Sequence, residues 1–238
     1  MAEKVQNETV AEKLNASLAK SSKALLALAA VVVIAFLAVI VVSNVNAGAT
    51  KKGLELIDTI NYSLTKESEI SADDENVSEE EIASKKAEEK TARQNSALEQ
   101  LASLSSKSGI VGVRANMLVA DIKFSQKNYS EARDAYAKAA SGKKAYTAAL
   151  NNFNAGVCSE ELGDNDSAVK YYALAANDKD FVLIDHALFS LGRVYEAKSD
   201  FASAKSSYEK LNDLHPTTSW GQLAKSRLIA LKAAGQIQ

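Results

Sequence analysis

Few side chains in this sequence could carry out chemistry. Cys158 is the single thiol, and it lies within a predicted helix with no histidine near it in sequence, so we expect a small buried thiol. Glu160 and Glu161 are neighbouring carboxylates, but adjacent helical residues point about 100° apart, so we expect a solvated helix face. His186 and His215, the only histidines, are too few for a histidine metal cluster, and we expect His186 to contact a partner or solvent.

Motifs and composition favour a protein that catalyses nothing. The sequence contains no phosphate loop, dinucleotide fingerprint, H-E-x-x-H zinc motif or G-x-S-x-G elbow. A net charge of −2 and a pI near 5.8 argue against a nucleic-acid partner. The single cysteine cannot form an intramolecular disulfide. We therefore predict no enzyme activity, no cofactor, no metal site, no nucleic-acid partner and no small-molecule substrate.

An apolar segment near the N-terminus predicts a membrane helix. From residue 24 to residue 42 the chain contains only Ala, Leu, Val, Ile and Phe. At about 1.5 Å per residue this run spans roughly 28 Å, close to the thickness of a bilayer's hydrocarbon core. We predict a tail over 1–23 and a transmembrane helix over 24–43.

Cleavage and orientation are separate questions. Val45-Asn46-Ala47 and Ala47-Gly48-Ala49 both resemble signal-peptidase sites, so a cleaved signal peptide is the alternative. The apolar run exceeds the 7–15 residues typical of a signal sequence, which favours an uncleaved anchor. The tail contains Lys4, Lys13, Lys20 and Lys23, whereas only Lys51 and Lys52 follow the run closely. This slight lysine bias favours a tail inside and a domain outside.

Residues 51–107 are predicted to form a helical hairpin around an acidic loop. Leu54, Ile57 and Leu64 follow helical spacing, and eight acids against one lysine follow between Thr65 and Ile82. Ser78 and Glu81 form a capping-box pattern that should start the second helix. We interpret the hairpin as a degenerate repeat and assign no binding role to its loop.

The strongest signal in the sequence is an internal period of 36 residues. Small residues, alanines and tyrosines each recur three times at this period. The columns are Ala120, Gly156 and Gly192; Ala132, Ala168 and Ala204; and Tyr136, Tyr172 and Tyr208. Such a period predicts a solenoid of helical pairs, in which the small residues let helices approach and the tyrosines pack against the next repeat.

The third repeat resembles the tetratricopeptide-repeat (TPR) family. It maps onto the family's W-x₂-L-G-x₂-Y…A-x₃-F…P pattern with Leu188 in the tryptophan place, followed by Leu191, Gly192, Tyr195, Ala204, Tyr208 and Pro216. The earlier repeats have Lys123 and Ser159 where Tyr195 stands, and the period exceeds the family's 34. The resemblance implies an all-α fold: an α-solenoid of TPR hairpins over 113–235, with three repeats and a closing helix at 218–235.

The layout of anchor, hairpin and repeats resembles the single-anchor, inner-membrane ancillary subunits of the bacterial Sec translocon. The resemblance implies an inner-membrane protein with a cytoplasmic N-terminus and a periplasmic repeat domain. It also implies protein partners: the translocon, an envelope chaperone or the translocating chain. The alternatives are an adaptor for other envelope-assembly machinery and an accessory subunit of a membrane enzyme or transport complex.

In TPR proteins the first helices of the repeats line a concave groove, and one set of residues is placed to do so here. A large apolar residue recurs at 36, flanked by residues one turn before and one turn after it. The candidate partner-binding residues are Arg114, Met117, Asp121, Leu150, Phe153, Val157, His186, Phe189 and Arg193. Large residues at this spacing can equally form core. Groove and core therefore stand as equal alternatives.

Overall fold

The chain is helical throughout the part described by the computed structural model, which covers residues 10–66, 78–142 and 147–238. These ranges contain nine α-helices and no strand. The helices are α1 (Val10–Thr65), α2 (Glu79–Ser105), α3 (Gly109–Ser125), α4 (Tyr129–Ala140), α5 (Ala148–Glu161), α6 (Asn165–Ala175), α7 (Ile184–Ala197), α8 (Phe201–Leu214) and α9 (Ser219–Ala233). The predicted all-α fold is confirmed.

The chain divides into two units, Met1–Lys52 and Gly53–Gln238. The first unit contains the apolar part of α1, where the side chains of residues 31–49 are exposed. Among the described helices, α1 has one stretch, Val31–Thr65, that is long and apolar enough to cross a membrane by length and composition. The predicted span over 24–43 lies within α1.

Side-chain caps start several helices of the second unit. The Ser78 hydroxyl accepts the Glu81 amide at 3.2 Å, as the capping-box pattern predicts, and α2 begins at the next residue. Asp164 and Asp200 cap α6 and α8 in the same way, each accepting an amide three residues on at 3.0 and 3.1 Å. These caps satisfy amides that have no partner inside the helix.

A residue in the left-handed backbone conformation, with positive φ, ends the first helix of each repeat. The residues are Lys127, Gly163 and Ser199, with φ of 59°, 69° and 59°. In each turn the next amide bonds to a carbonyl five residues back, as Asn128 does to Lys123 at 2.9 Å. The sequence predicted this conformation at Gly163, where a missing Cβ removes its cost. It gave no sign that a lysine and a serine take the same place.

Close packing of small residues joins the helices of the second unit in series. Each helix from α2 to α9 packs against the next along the chain. Ala132, Ala168 and Ala204 are fully buried, so the alanine column lies where helices meet. Three buried clusters run through the unit, over α1–α3, α3–α6 and α5–α9. Because neighbouring repeats share each cluster, the second unit has the continuous core of a helical-repeat solenoid.

Candidate functional site: the groove of the repeat helices

The tyrosine and glycine columns meet within one repeat. A Cβ built on Gly156 would stand 2.7 Å from Cδ1 of Tyr172, and one on Gly192 would stand 2.5 Å from Cε1 of Tyr208. Both rings are almost fully buried. Each ring therefore lies against the glycine of its own repeat, and Tyr172 and Tyr208 also belong to the buried cluster that extends into the following helices. The contact sets how near the two helices of a repeat lie.

Each of these rings delivers its hydroxyl to a glutamate at the groove. Tyr172 donates to Glu160 at 2.5 Å, and Arg193 of the next repeat donates to the same carboxylate oxygen at 2.7 Å. One repeat later, Tyr208 donates to Glu196 at 2.6 Å. Both tyrosines have pKa values raised by burial first and by the glutamate second, so each remains a hydrogen-bond donor.

In the second network, around Glu196, an arginine makes a bidentate contact. Arg227 of α9 donates to Glu196 from Nε at 3.0 Å and also from Nη2. Burial alone would raise the pKa of Glu196, but hydrogen bonds from Arg227 and Tyr208 outweigh it, and the net shift is downward. Glu196 is thus held as a carboxylate that links α7, α8 and α9. Charge-assisted bonds of this kind are stronger than neutral ones.

The first repeat replaces this network with a simpler pair. Tyr136 donates its hydroxyl to Asp121, which stands one turn before the place taken by Glu160 and Glu196 in the later repeats. Burial raises the pKa of Asp121, and the Tyr136 bond opposes the shift only in part. No arginine from α5 joins the pair, because α5 contains none, and Val157 stands in the column of Arg193. The groove chemistry therefore changes from the first repeat to the third.

Aromatic stacking closes the groove towards α9. The His186 ring lies 4.8 Å from Phe153 and stacks on Trp220, with centroids 4.3 Å apart and planes 16° apart. Phe189 lies 5.2 Å from the same Trp220 ring. Burial, followed by the nearby Arg193 charge, lowers the pKa of His186, while Glu160 acts in the opposite direction. A neutral imidazole at pH 7 is the result.

Open clefts follow the predicted residues along the repeats. A cleft of about 540 Å³ is lined by Val157, Glu160, His186 and Arg193 among others, and one of about 500 Å³ by Phe189, Arg193 and Arg227 among others. A smaller one of about 280 Å³ lies at the first repeat, and a wider one of about 910 Å³ lies at the turns before α5 and α7. Together these clefts give a partner several places to insert side chains.

Eight of the nine predicted groove residues line one of these clefts. They are Arg114, Met117 and Asp121 at the first repeat, Leu150 at the wide cleft, and Val157, His186, Phe189 and Arg193 at the later repeats. Phe153 is the exception: it is only 6% exposed and packs in the core against Tyr172, Phe181 and His186. Its ring is core in this structure, whereas the role of the set in partner binding stays a prediction.

Two further expectations have opposite outcomes. Cys158 is fully buried, as predicted, and burial raises the pKa of its thiol to about 12. Glu160 was expected on a solvated face, but its side chain is only 20% exposed and bonds Tyr172 and Arg193. Its neighbour Glu161 is exposed. The described residues contain no group of three or more His, Cys, Asp or Glu side chains that could hold a metal ion.

Sequence reasoning missed Glu196, Arg227 and Trp220 as groove residues. Glu160 and Glu196 share a column at period 36, so that signal was present in the sequence. Arg193 was among the predicted residues, but Arg227 was harder to find, because the two arginines stand 33 and 31 residues after their glutamates. The chain from Glu196 to the start of α9 is one residue shorter than the chain from Glu160 to the start of α7, and Arg227 also stands one residue nearer the start of its helix than Arg193 does.

Residues 186–218, which span α7 and α8 and the contact between Gly192 and Tyr208, match the family described as tetratricopeptide repeat. The chain therefore contains a tetratricopeptide repeat over these residues. A protein of Treponema pallidum (strain Nichols) described as "TPR repeat-containing protein" is 37% identical to it over 139 residues. That alignment covers 58% of this chain and 58% of the relative, so the chain spans little more than half of that protein. No solved structure matches this chain.

Proposed function

We propose that this TPR protein is a membrane-anchored scaffold that binds other proteins through the groove of its repeat helices. The observation that carries the proposal is the series of clefts along α3, α5, α7 and α9, which holds eight of the nine predicted groove residues. Repeat solenoids use extended surfaces of this kind to bind other proteins. The Glu–Arg ion pairs hold the groove in one conformation, so little conformational entropy is lost on binding.

The anchoring part of the proposal rests on α1. Its apolar stretch exposes large side chains such as Ile34, Phe36 and Val45, which are more than half exposed. In water this surface would be strongly unfavourable, and in a bilayer it would be favourable. We propose a single uncleaved span with the N-terminus inside and the repeats outside an inner membrane. Protease added to opened envelopes should then digest residues beyond Ala49, while a mature N-terminus at Gly48 or Thr50 would refute the anchor.

The proposed partners are the Sec translocon, an envelope chaperone working with it, or the translocating chain. The support is the likeness of layout to Sec ancillary subunits: an anchor, a hairpin and TPR repeats in this order. The second candidate is an adaptor for other envelope-assembly machinery, which the same groove could serve, and an accessory subunit of a membrane complex is a third. The repeats support binding in general, and the choice between these partners rests on experiment.

Site-specific photo-crosslinking tests the proposal in the intact membrane. A crosslinking residue is placed at Met117 or Phe189, both partly buried at the clefts, and as matched controls at Lys138 or Glu209, which are exposed on second helices of repeats. The proposal expects adducts with translocon subunits or an export chaperone from the groove positions and none from the controls. Adducts with cell-wall or outer-membrane machinery would support the second candidate. Identical patterns from all four positions would refute the groove.

A further inference from the structure

Another cleft lies where the end of α1 meets α2 and α3. It borders the cleft at the first repeat, with which it shares Asn61, Leu118 and Asp121. It has a volume of about 410 Å³. Its apolar floor includes Leu64, Leu118 and Ile122, which belong to or pack against the first buried cluster. We call it the hairpin cleft. Its size lies within the range of sites that enclose small ligands or a few side chains of a peptide.

The wall of the hairpin cleft carries more positive than negative charge. Its cations are Lys66, Lys86, Lys90 and Arg93, and its acids are Glu89 and Asp121. Both acids are already engaged, since Glu89 pairs with Arg93 and Asp121 accepts the Tyr136 hydroxyl. A cationic wall is a local exception in a protein whose net charge is −2. Charge complementarity therefore selects an anionic occupant.

Two lysines supply the available charge. Lys86 and Lys90 are four residues apart on α2, so they project from one side of the helix. Both are exposed, and within residues 10–66, 78–142 and 147–238 neither forms an ion pair. Among the described residues, an arriving carboxylate would have no ion-pair partner of these lysines to displace. Exposed charges of this kind attract the occupant and set its orientation more than they add affinity.

The floor and back wall of the cleft are fixed by hydrogen bonds. Gln94, only 8% exposed, donates to the Ser125 hydroxyl at 2.8 Å and accepts from Gln126 at 3.2 Å, which ties α2 to the end of α3. Arg93 donates to the backbone carbonyl of Lys66 and so ties α2 to the end of α1. The three helices therefore present a preformed cavity, and binding needs little rearrangement.

We propose that the hairpin cleft binds an acidic peptide segment of a partner protein, with carboxylates towards Lys86 and Lys90 and an apolar side chain on the floor. An inorganic anion would leave the apolar floor exposed, and a nucleic acid would place phosphates against it. An extended peptide that alternates acidic and apolar residues satisfies both parts of the cavity, because successive side chains point to opposite sides. This site adds to the groove and does not depend on it.

Fluorescence anisotropy with a defined peptide tests the proposal on the full chain in neutral detergent. The probe is a fluorescein-labelled decapeptide that alternates Glu and Leu, and micelles alone are the blank. Lys86→Gln/Lys90→Gln should weaken binding about threefold to tenfold, as expected for two exposed charge pairs. The matched control Lys225→Gln/Lys232→Gln removes two exposed lysines from α9 and should leave binding unchanged. Raised salt should weaken the wild-type complex.

Charge-reversal variants predict a gain of binding as well as a loss, so misfolding cannot explain the expected result. Lys86→Glu/Lys90→Glu should reject the Glu–Leu peptide and gain binding of a Lys–Leu peptide of the same length, which a misfolded variant could not do. A Glu–Ser peptide should bind the wild type more weakly than Glu–Leu. Unchanged binding in the lysine variants, or equal affinity for Glu–Ser, would overturn the proposal. Equal displacement of the peptide by single-stranded DNA would assign the cleft to nucleic acid and overturn it too.

Discussion

The ring of Tyr208 lies against the Cα of Gly192, so closely that a Cβ at residue 192 would stand 2.5 Å from the ring edge. That distance is far inside van der Waals contact. The same relationship joins Gly156 to Tyr172 one repeat earlier, at 2.7 Å. Because the tyrosine hydroxyl then reaches a groove glutamate, the glycine controls both the spacing of the two helices and the position of the groove network.

Gly192→Ala should therefore destabilise the repeat domain. The methyl group must displace the ring or the helix, and overpacking of this kind costs about 1–3 kcal/mol. The better helix propensity of alanine offsets up to about 1 kcal/mol of this cost. We expect a lower urea midpoint for the full chain in mild detergent, followed by the fluorescence of Trp220, the single tryptophan.

A second substitution shows whether the ring is the cause. In a Tyr208→Leu background the ring is gone, so adding Gly192→Ala should cost clearly less than it does in the wild type. The difference between the two costs is the coupling energy of the pair, which for residues in contact is about 0.5–3 kcal/mol. Strictly additive costs would contradict the contact. A gain in stability from Gly192→Ala alone would do so as well.

At two turns with positive φ, glycine and serine can be exchanged in opposite directions, with opposite effects expected on stability. Ser199 adopts φ of 59°, a conformation that costs a residue with a Cβ about 1–2 kcal/mol. Glycine avoids this cost but loses about 0.5–1 kcal/mol more backbone entropy on folding. On balance, Ser199→Gly should stabilise the chain. Gly163, at φ of 69°, occupies the equivalent place, and Gly163→Ser should destabilise by about 1 kcal/mol.

Both changes are read from urea midpoints under identical conditions. The two exchange the same pair of residue types in opposite directions at equivalent turns, so each serves as the control for the other. A shift of the same sign in both variants would mean that the turn conformation does not decide their stability.

How far the sequence predicts this structure depends on which residues share the period. The glycine, alanine and tyrosine columns recur at 36 because each contact joins helices of one repeat or of equally spaced repeats, and their burial is as the period predicts. Arg193 and Arg227 reach back across turns of unequal length, so their shared role does not appear as a column. Phe153 and Phe189 share a column, and each packs on the tyrosine of its own repeat. Their other neighbours differ, because Phe181 and His186 also cover Phe153.

His186 should make stability depend on pH in one direction. Its pKa in the folded chain is lowered by burial and by Arg193, whereas in the unfolded chain it is near 6.5. As pH falls below about 6.5 the unfolded chain takes up the proton first, so this residue's contribution is fully present above that pH and is lost as pH falls through the folded pKa.

His186→Phe keeps a ring between Phe153 and Trp220 but cannot titrate. The fall in urea midpoint between pH 7.5 and pH 5.5 should therefore be smaller in this variant than in the wild type. All other titratable groups are the same in both proteins and cancel in the comparison. An equal fall in both proteins, or a wild type that gains stability on acidification through His186, would contradict the expected sign.

The two phenylalanines of the groove column should separate core from surface. Phe153, 6% exposed, is enclosed by aromatic rings, so Phe153→Ala should cost about 3–5 kcal/mol. Phe189 is partly exposed beside the cleft at Arg193 and packs on Tyr208 and Trp220 from one side. Losing part of a phenylalanine's burial energy should make Phe189→Ala cost only about 1–2 kcal/mol.

Loss of partner binding should follow the opposite order to loss of stability: among folded proteins, Phe189→Ala should reduce binding more than Phe153→Ala. If Phe189 inserts into a partner, its truncation should reduce capture in the crosslinking assay at Met117 by an amount typical of a hot spot, about 2 kcal/mol or more. At temperatures where Phe153→Ala remains folded, capture should be nearly normal, because its ring is not at the surface. Phe189→Ala that keeps full capture would leave the groove without its proposed anchor. A small stability loss in Phe153→Ala would instead return that ring to the groove.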